Sequence, residues 1–466
     1  MKAVRFHQHG GPEVLRYEDA PDPSPGAADQ ALVRVKACSV NHLDVWGRIG
    51  PPYSDPPLPH IPGCDIAGVI EEVSPGERDI QRGMEVIVSP GFGCGRCEKC
   101  LSGTDNQCRR YGIIGNQSDG GYAELAVVPT RNVIPKPERM DFVQAASVPL
   151  VFLTAYHMLV TKAKVQPGET VLVLGAGSGV GVAAIQVAKA YGANVVATAG
   201  TDSKLKKAVE LGADYTVNRR TGKVADEARR YTDGRGVDVV VEHPGKATWD
   251  ESLRAAAKGG RIVTCGATTG YDAVTDIRYV FAKEITIYGS YMGGSGELLR
   301  VLELFKQRRL RPVADIGSGH GRLAHELAGR LPAGSVFATE VRRAAAATSA
   351  ARLAVADARV LLGTLHEALS QVTNDIASYI RERQTAAAAA AIRTFQSAKP
   401  IAGYRAVPTD DRASVAIRAA FSLLGVPYVW GGASRRGVDC SGLILLAYAA
   451  AGIFLPHYSG FQFAAT

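Results

Sequence analysis

Cys94, Cys97, Cys100 and Cys108 stand in one glycine-rich stretch, GFGCGRCEKCLSGTDNQC, and are half of the eight cysteines in the 466-residue chain. Two-residue spacers let a turn bring neighbouring sulfurs together, and zinc takes four thiolates tetrahedrally at about 2.3 Å. A site with all four positions filled by protein has none left for substrate. The chemistry expected is therefore one structural zinc per chain. The competing reading is reduced or disulfide-paired cysteines. The N-terminal stretch MKAVRFHQHGGPEVL lacks the apolar core of a signal peptide, which favours metal and a cytoplasmic location.

A second stretch carries cofactor chemistry. Gly175, Ala176, Gly177, Ser178, Gly179, Val180 and Gly181 follow the apolar run VLVL and open a helical pattern. Glycines let backbone turn tightly and approach a pyrophosphate, while the helix start supplies N–H groups and a positive dipole end. Beyond the next strand the chain reads Ala199-Gly200-Thr201-Asp202-Ser203-Lys204. An NAD-selective site places an acidic residue at that tip for the ribose 2′-hydroxyl. Gly200 is small and neutral, and Lys204 is near enough to meet a 2′-phosphate, so NADPH is favoured over NADH. Asp202 is the competing acceptor; its place beyond the tip makes it a candidate N-cap of the following helix.

These groups need scaffolds of two kinds. Residues 1–130 alternate apolar and polar in short runs such as ALVRVKA and MEVIVSP, broken by PDPSPG, PPYSDPP and SPGE. That pattern predicts a β-barrel-like unit, with the cysteine lobe at 91–115. Residues 131–312 place short apolar runs (VLVLGAG, NVVATAG, VDVVVEH, RIVTCGA, ITIYGS) between helical periods, the pattern of a parallel sheet covered on both faces. After that, alanine and arginine dominate. Leu361, Leu365, Leu369, Val372, Ile376 and Ile380 form a helical stripe in a linker over 342–411, read as a packing face.

Composition narrows the classes further. Residues 1–312 carry 38 Lys+Arg against 35 Asp+Glu, and 313–466 carry 15 against 10, without a basic run. Charge alone gives no argument for nucleic acid. No stretch approaches the roughly 18 apolar residues of a membrane span.

The order MKAV, GGPEVL, NHLDVWGR, PGCDIAGVIEEV, the four-cysteine loop, GGYAEL, FLTAYHML, GAGSGVG and TCGATTG closely resembles the zinc-type medium-chain dehydrogenase/reductase superfamily, in its quinone-oxidoreductase-like branch. The resemblance runs over nearly all of 1–312. It implies an α/β protein: a GroES-like catalytic β-barrel, then a Rossmann doubly wound parallel sheet binding NADPH, with the active site in the cleft between them. It also implies a homodimer or homotetramer joined partly through the edge strand near Ile285–Tyr291. Family members that oxidise alcohols hold a second zinc through Cys, His and Cys, and the matching positions here are Asn41, Cys64 and Leu150. One of the three keeps a ligand-type side chain, whereas a catalytic zinc needs three protein ligands. His42, Asp44, Cys38 and His60 lie nearby in sequence and read as structural or polar cleft residues. Asn41 and Thr154 are implied at the nicotinamide and substrate, and Gly177 to Gly181 under the pyrophosphate. A quinone or α,β-unsaturated carbonyl accepts hydride without the help an alcohol needs. Members continue past LRPV into a final helix and strand, and here LRPVAD runs into a different pattern.

Two further resemblances follow. Val313 to Gly321, with Glu340 nineteen residues on, resembles the first βαβ element of an S-adenosylmethionine-dependent methyltransferase; this fragment spans 313–341. Residues 412–466, with GVPYVWGGASRRGVDCSGLILLAYAAAGIFLPHYSGFQF, closely resemble the N-terminal half of NlpC-like cysteine endopeptidases, a partial α+β papain-like unit. Cys440 matches the family's nucleophile at a helix start, where the thiol pKa falls; a buried helix-start cysteine is the other reading. The family's catalytic histidine comes from strands further on. The expectation is an NADPH-dependent oxidoreductase carrying broken modules as a fusion. The rival readings are a cell-wall peptidase fragment with a dehydrogenase passenger, and a zinc- and nucleotide-binding protein without turnover.

Overall fold

The computed structural model describes residues 1–313, apart from 27 and 53, with a few positions between 419 and 449. The chain divides near residue 361 into two units. In the second, Ala433–Ser434 pairs antiparallel with Gly437–Val438. The methyltransferase-like stretch beyond 313, the linker stripe and Cys440 lie outside the described residues.

In the first unit the alternating runs form an antiparallel sheet of five strands. Its order is Leu125–Pro129, Gln30–Ser39, Asp65–Val73, Glu85–Val88 and Val133–Pro135. Side chains on alternate residues share a face, and Val33, Ile66, Ile70, Val86 and Val128 pack there with Phe6 in one buried cluster. This is the GroES-like half. The expected strands over ALVRVKA and MEVIVSP are present.

The apolar runs after residue 169 form six parallel strands. Their order is Tyr215–Asn218, Asn194–Ala199, Thr170–Val173, Val237–Glu242, Ala256–Thr264 and Thr286–Gly289. The first strand in sequence lies centrally, and the strand order reverses between it and Val237–Glu242. Doubly wound sheets bind their ligands at the carboxyl ends beside such a reversal. Period-two alternation sends Val171, Val173, Val239 and Val241 into one buried layer with Phe152, Ile185 and Phe305. Leu172, Val196, Val240 and Ile262 enter the opposite layer with Val224, Ala228 and Leu253. A run such as TVLV is therefore apolar throughout because both its faces are covered.

No helix among the described residues is long and apolar enough to cross a membrane. Leu172 is fully buried in the central strand, so Leu172→Ala is expected to cost about 2–5 kcal/mol, read as a fall in the urea unfolding midpoint. A cost under about 1 kcal/mol would contradict this packing.

Candidate active site and zinc lobe

Strand Gln30–Ser39 ends beside strand Asp65–Val73, and the chain turns at Asn41 into helix His42–Ile49. Asp65 is 1% exposed. Its carboxylate accepts from Asn41 Nδ2 at 2.7 Å, Ser39 Oγ at 2.8 Å and the backbone N–H of Leu150 at 2.8 Å. Asn41 Nδ2 also donates to Cys64 Sγ at 3.5 Å. Asn41, Cys64 and Leu150, from three separate elements, therefore meet around one buried carboxylate. Cys64 packs with Ile113, Met292, Leu43, Tyr111 and Leu150, an apolar surround.

Leu150 and Thr154 lie in helix Pro149–Tyr156. Four residues apart, they occupy one helix face, and Thr154 is buried. This helix also reaches the glycine turn, since a Cβ placed on Gly179 would lie 2.7 Å from Val151 Cγ1.

Burial dominates the protonation of the cleft floor. It pushes the Asp65 carboxyl up to about 6 and Asp44 up to about 7, although each accepts hydrogen bonds. Asp44 accepts from Asn41 N at 2.7 Å and Tyr122 Oη at 2.8 Å. Burial also raises the Cys64 and Cys38 thiols well above their ordinary value. His60 is buried against Phe6, with Nε2 2.9 Å from the Gly115 carbonyl. Among the described residues, neither His60, Asp44 nor Cys38 forms a three-ligand group with Cys64.

The glycine turn has the form its sequence predicts. Helix Gly179–Ala190 starts at Ser178, whose Oγ accepts from Gly181 N at 3.0 Å. Gly175 has φ +59°, the left-handed region that glycine tolerates best. A Cβ on Gly181 would lie 2.4 Å from the Gly175 carbonyl oxygen, so the helix start closes onto the turn only with glycine there. Ala176 N donates to Thr198 O at 2.8 Å. His243 lies beneath, its Nε2 at 2.8 Å from the Leu174 carbonyl. Desolvation lowers it to about 4, so the imidazole is neutral. The open backbone and N–H-rich helix start fit a pyrophosphate.

Gly200 follows strand Asn194–Ala199, and Lys204 lies in helix Asp202–Glu210. The Lys204 chain crosses the turn, with Cδ 2.7 Å from where a Gly177 Cβ would stand. One expectation is corrected. Thr201 is the N-cap and Asp202 the first helical residue, its carboxylate accepting from Asn218 Nδ2 at 2.8 Å. The sequence reading also missed Arg219 and Arg220, whose Nε atoms lie 3.5 and 3.3 Å from a Cβ built on Gly200. Their signal was an Arg pair directly after the third parallel strand; the parallel pairing of Tyr215–Asn218 with Asn194–Ala199 brings it to the tip.

The four lobe cysteines meet as expected. Their sulfurs lie within 4.8 Å of one another, with Cys97 and Cys100 at 3.6 Å and Cys94 and Cys100 at 3.9 Å. Tetrahedral coordination at about 2.3 Å places sulfurs roughly 3.8 Å apart, so this donor set fits zinc. The N–H groups of Cys94 and Arg110 lower the Cys108 thiol, and those of Arg96 and Cys97 draw Cys94 down to about 5, while burial pushes Cys100 up to about 11. Thiolate is the form a metal takes.

A GroES-like half, a Rossmann half with a glycine cradle and a closed four-thiolate lobe together define a zinc-binding dehydrogenase or reductase. The alcohol dehydrogenase GroES-like domain profile matches residues 27–138, the zinc-binding dehydrogenase profile 179–307 and the NlpC/P60 family profile 425–466. None of these includes the 313–341 stretch. The chain is 34% identical to a quinone oxidoreductase of Pongo abelii over 290 residues, covering 62% of this chain and 79% of that one. It is also 34% identical to an alcohol dehydrogenase of Geobacillus stearothermophilus over 318 residues, 68% of this chain and 92% of that one. A crystal structure of an NAD-dependent alcohol dehydrogenase shares 45% identity and a TM-score of 0.66, over 69% of this chain and 96% of that one. The chain belongs to the zinc-type medium-chain dehydrogenase/reductase superfamily, with an NlpC/P60-like segment towards its C-terminal end.

Asp44 gives a pH test. Its folded value of about 7 exceeds the ordinary 3.8, so its contribution is full below 3.8 and is lost as pH rises through 7. Asp44→Asn removes that loss, and its stability relative to the parent should climb from about pH 5 to about pH 7, by up to about 1.4 kcal/mol per unit. Urea unfolding at the two pH values reads it; a flat difference would contradict the assignment.

Proposed function

We propose that this chain is an NADPH-dependent reductase of quinones, enones or related activated carbonyls, transferring hydride without a catalytic zinc. The observation that carries this is the chemistry at Asn41, Cys64 and Leu150: an amide, a buried thiol and an alkyl chain meet where alcohol-oxidising members hold zinc. Cys64 alone of the three keeps a ligand-type side chain, short of the three protein ligands a catalytic zinc needs. The name of the quinone oxidoreductase relative supports an electron-poor acceptor.

The glycine turn and Ser178 would hold the dinucleotide pyrophosphate, and Lys204 with Arg219 and Arg220 the 2′-phosphate. When bound, the nicotinamide supplies a hydride to the acceptor, and water supplies the proton. Asn41, oriented by Asp65, and Thr154 would line the reacting end. Leu43, Ile113 and Met292 pack around Cys64 and would give the acceptor face an apolar lining. The lobe zinc is structural, one per chain, held by Cys94, Cys97, Cys100 and Cys108. Assembly as a homodimer or homotetramer through the edge strand Thr286–Gly289 is part of the same reading. It is supported by the exposed Ile287, Phe281 and Tyr291 along that margin.

The cofactor choice separates this reading from that of the NAD-dependent relative. Arg219→Ala and Lys204→Ala should each weaken NADPH by about tenfold or more, the cost of a charge-assisted bond, with under about twofold effect on NADH. Full-length protein should oxidise NADPH with 1,4-benzoquinone and leave ethanol with NADP⁺ untouched. Equal losses for both cofactors, or turnover of ethanol alone, would overturn the proposal.

A further inference from the structure

Two residues of the zinc lobe reach beyond it. Asp105 Oδ1 accepts from the backbone N–H of Ser295 at 3.1 Å and Oδ2 from its hydroxyl at 3.0 Å. Helix Ser295–Lys306 begins there, and its N-cap Gly294 offers no side chain. The cap therefore comes from a residue 190 positions away. A Cβ on Gly294 would lie 2.6 Å from the Gly103 carbonyl oxygen, so lobe and helix start touch backbone to backbone. Beside it, Asn106 Nδ2 donates to the Tyr291 carbonyl at 3.1 Å and reaches His157 Nε2 at 3.3 Å. An amide nitrogen only donates, so Nε2 is the acceptor and His157 carries its proton on Nδ1. That Nδ1 donates to Glu297 at 2.8 Å, and Glu297 also accepts from Gly294 N at 2.8 Å and from Thr161 Oγ1. The polar chain is thus closed from the lobe to the helix and back.

Between these two anchors runs Tyr291–Gly294. Its Met292 has φ +54°, is 6% exposed and packs with Cys64 and Leu150 on the cleft floor. Tyr291 also borders an open cavity of about 340 Å³ lined by Asn106, His157, Lys162, Thr264 and Ser290. The buried Ser290 Oγ has no hydrogen-bond partner there. The bonds from Asp105 and Asn106 thus tie both ends of the segment to the lobe, beside the Met292 side chain on the cleft floor and the Glu297 carboxylate on Gly294 N.

We infer that Asp105 and Asn106 are positioning residues: the zinc lobe latches Tyr291–Gly294 and so sets Met292 over the acceptor end of the cleft. The inference rests on the cleft reading given under Proposed function. It makes the lobe part of the machinery that shapes the acceptor site, and the metal's grip on the cysteines is felt there through two neighbouring residues.

The test uses full-length Asp105→Ala, Asn106→Ala and Asp105→Asn, the last keeping an acceptor oxygen. Each is assayed for zinc content, thermal midpoint, NADPH dissociation constant, KM for 1,4-benzoquinone and hydrogen exchange of the Gly294 to Glu297 amides. Asp105→Ala and Asn106→Ala should keep their zinc and hold NADPH within about twofold. They should raise the benzoquinone KM about tenfold, the loss of one or two hydrogen bonds, and speed exchange at the helix start. Asp105→Asn should stay near the parent in both readouts. An unchanged KM, a KM rise that tracks lost zinc, or exchange as slow as the parent's would overturn the latch. If the parent protein binds no NADPH or reduces no quinone, the functional reading fails, and the exchange comparison of Asp105→Ala with Asp105→Asn still decides whether the lobe fixes the segment.

Discussion

A carboxylate with 1% of its surface exposed ties the catalytic cleft together. Asp65 gathers donors from strand Gln30–Ser39, from the start of helix His42–Ile49 and from the start of helix Pro149–Tyr156. Removing it would leave the Leu150 N–H without its acceptor, at a cost of about 1–3 kcal/mol, while Ser39 Oγ keeps the Ala146 carbonyl and Asn41 Nδ2 keeps Cys64 Sγ. Burial pushes its carboxyl to about 6, yet the three donors hold its place at the start of strand Asp65–Val73. Helix Pro149–Tyr156 extends the constraint, because Val151 lies against Gly179 at the mouth of the nucleotide turn. One helix thereby touches both the Asp65 carboxylate and the glycine turn.

That arrangement separates two tasks that a metal could otherwise combine. In the proposed reading, charge would be handled at the nucleotide end, by a helix start and the cations around Gly200. The proposed acceptor end would be mostly apolar beyond Asn41 and Thr154, and the two carboxylates buried beneath Asn41, Asp44 and Asp65, have raised pKa values. An acceptor that already draws electrons suits such a surround better than an alcohol that must lose a proton.

Much of this was legible in the chain. The cysteine spacing and the glycine turn are local, so their geometry follows from a few consecutive residues. The strands of the parallel sheet show as apolar runs because both faces are buried. Other features depend on pairing that no local pattern encodes. Arg219 and Arg220 reach the cofactor tip through the third strand's place at the sheet edge. Asp105 meets Ser295, and Asn106 meets His157 and Tyr291, across separations of 51 to 190 residues. The N-cap is Thr201 and not Asp202, whose carboxylate is engaged by Asn218 from the neighbouring strand.

The central claim is that hydride passes directly to the acceptor while zinc serves only as a clamp. X-ray absorption at the zinc edge of the full-length protein, with metal stoichiometry and NADPH-dependent benzoquinone reduction on the same sample, tests it most directly. The account expects one zinc per chain in an all-sulfur shell of four ligands, with quinone reduction undiminished. A second equivalent with nitrogen or oxygen ligands, whose occupancy governs turnover, would contradict it.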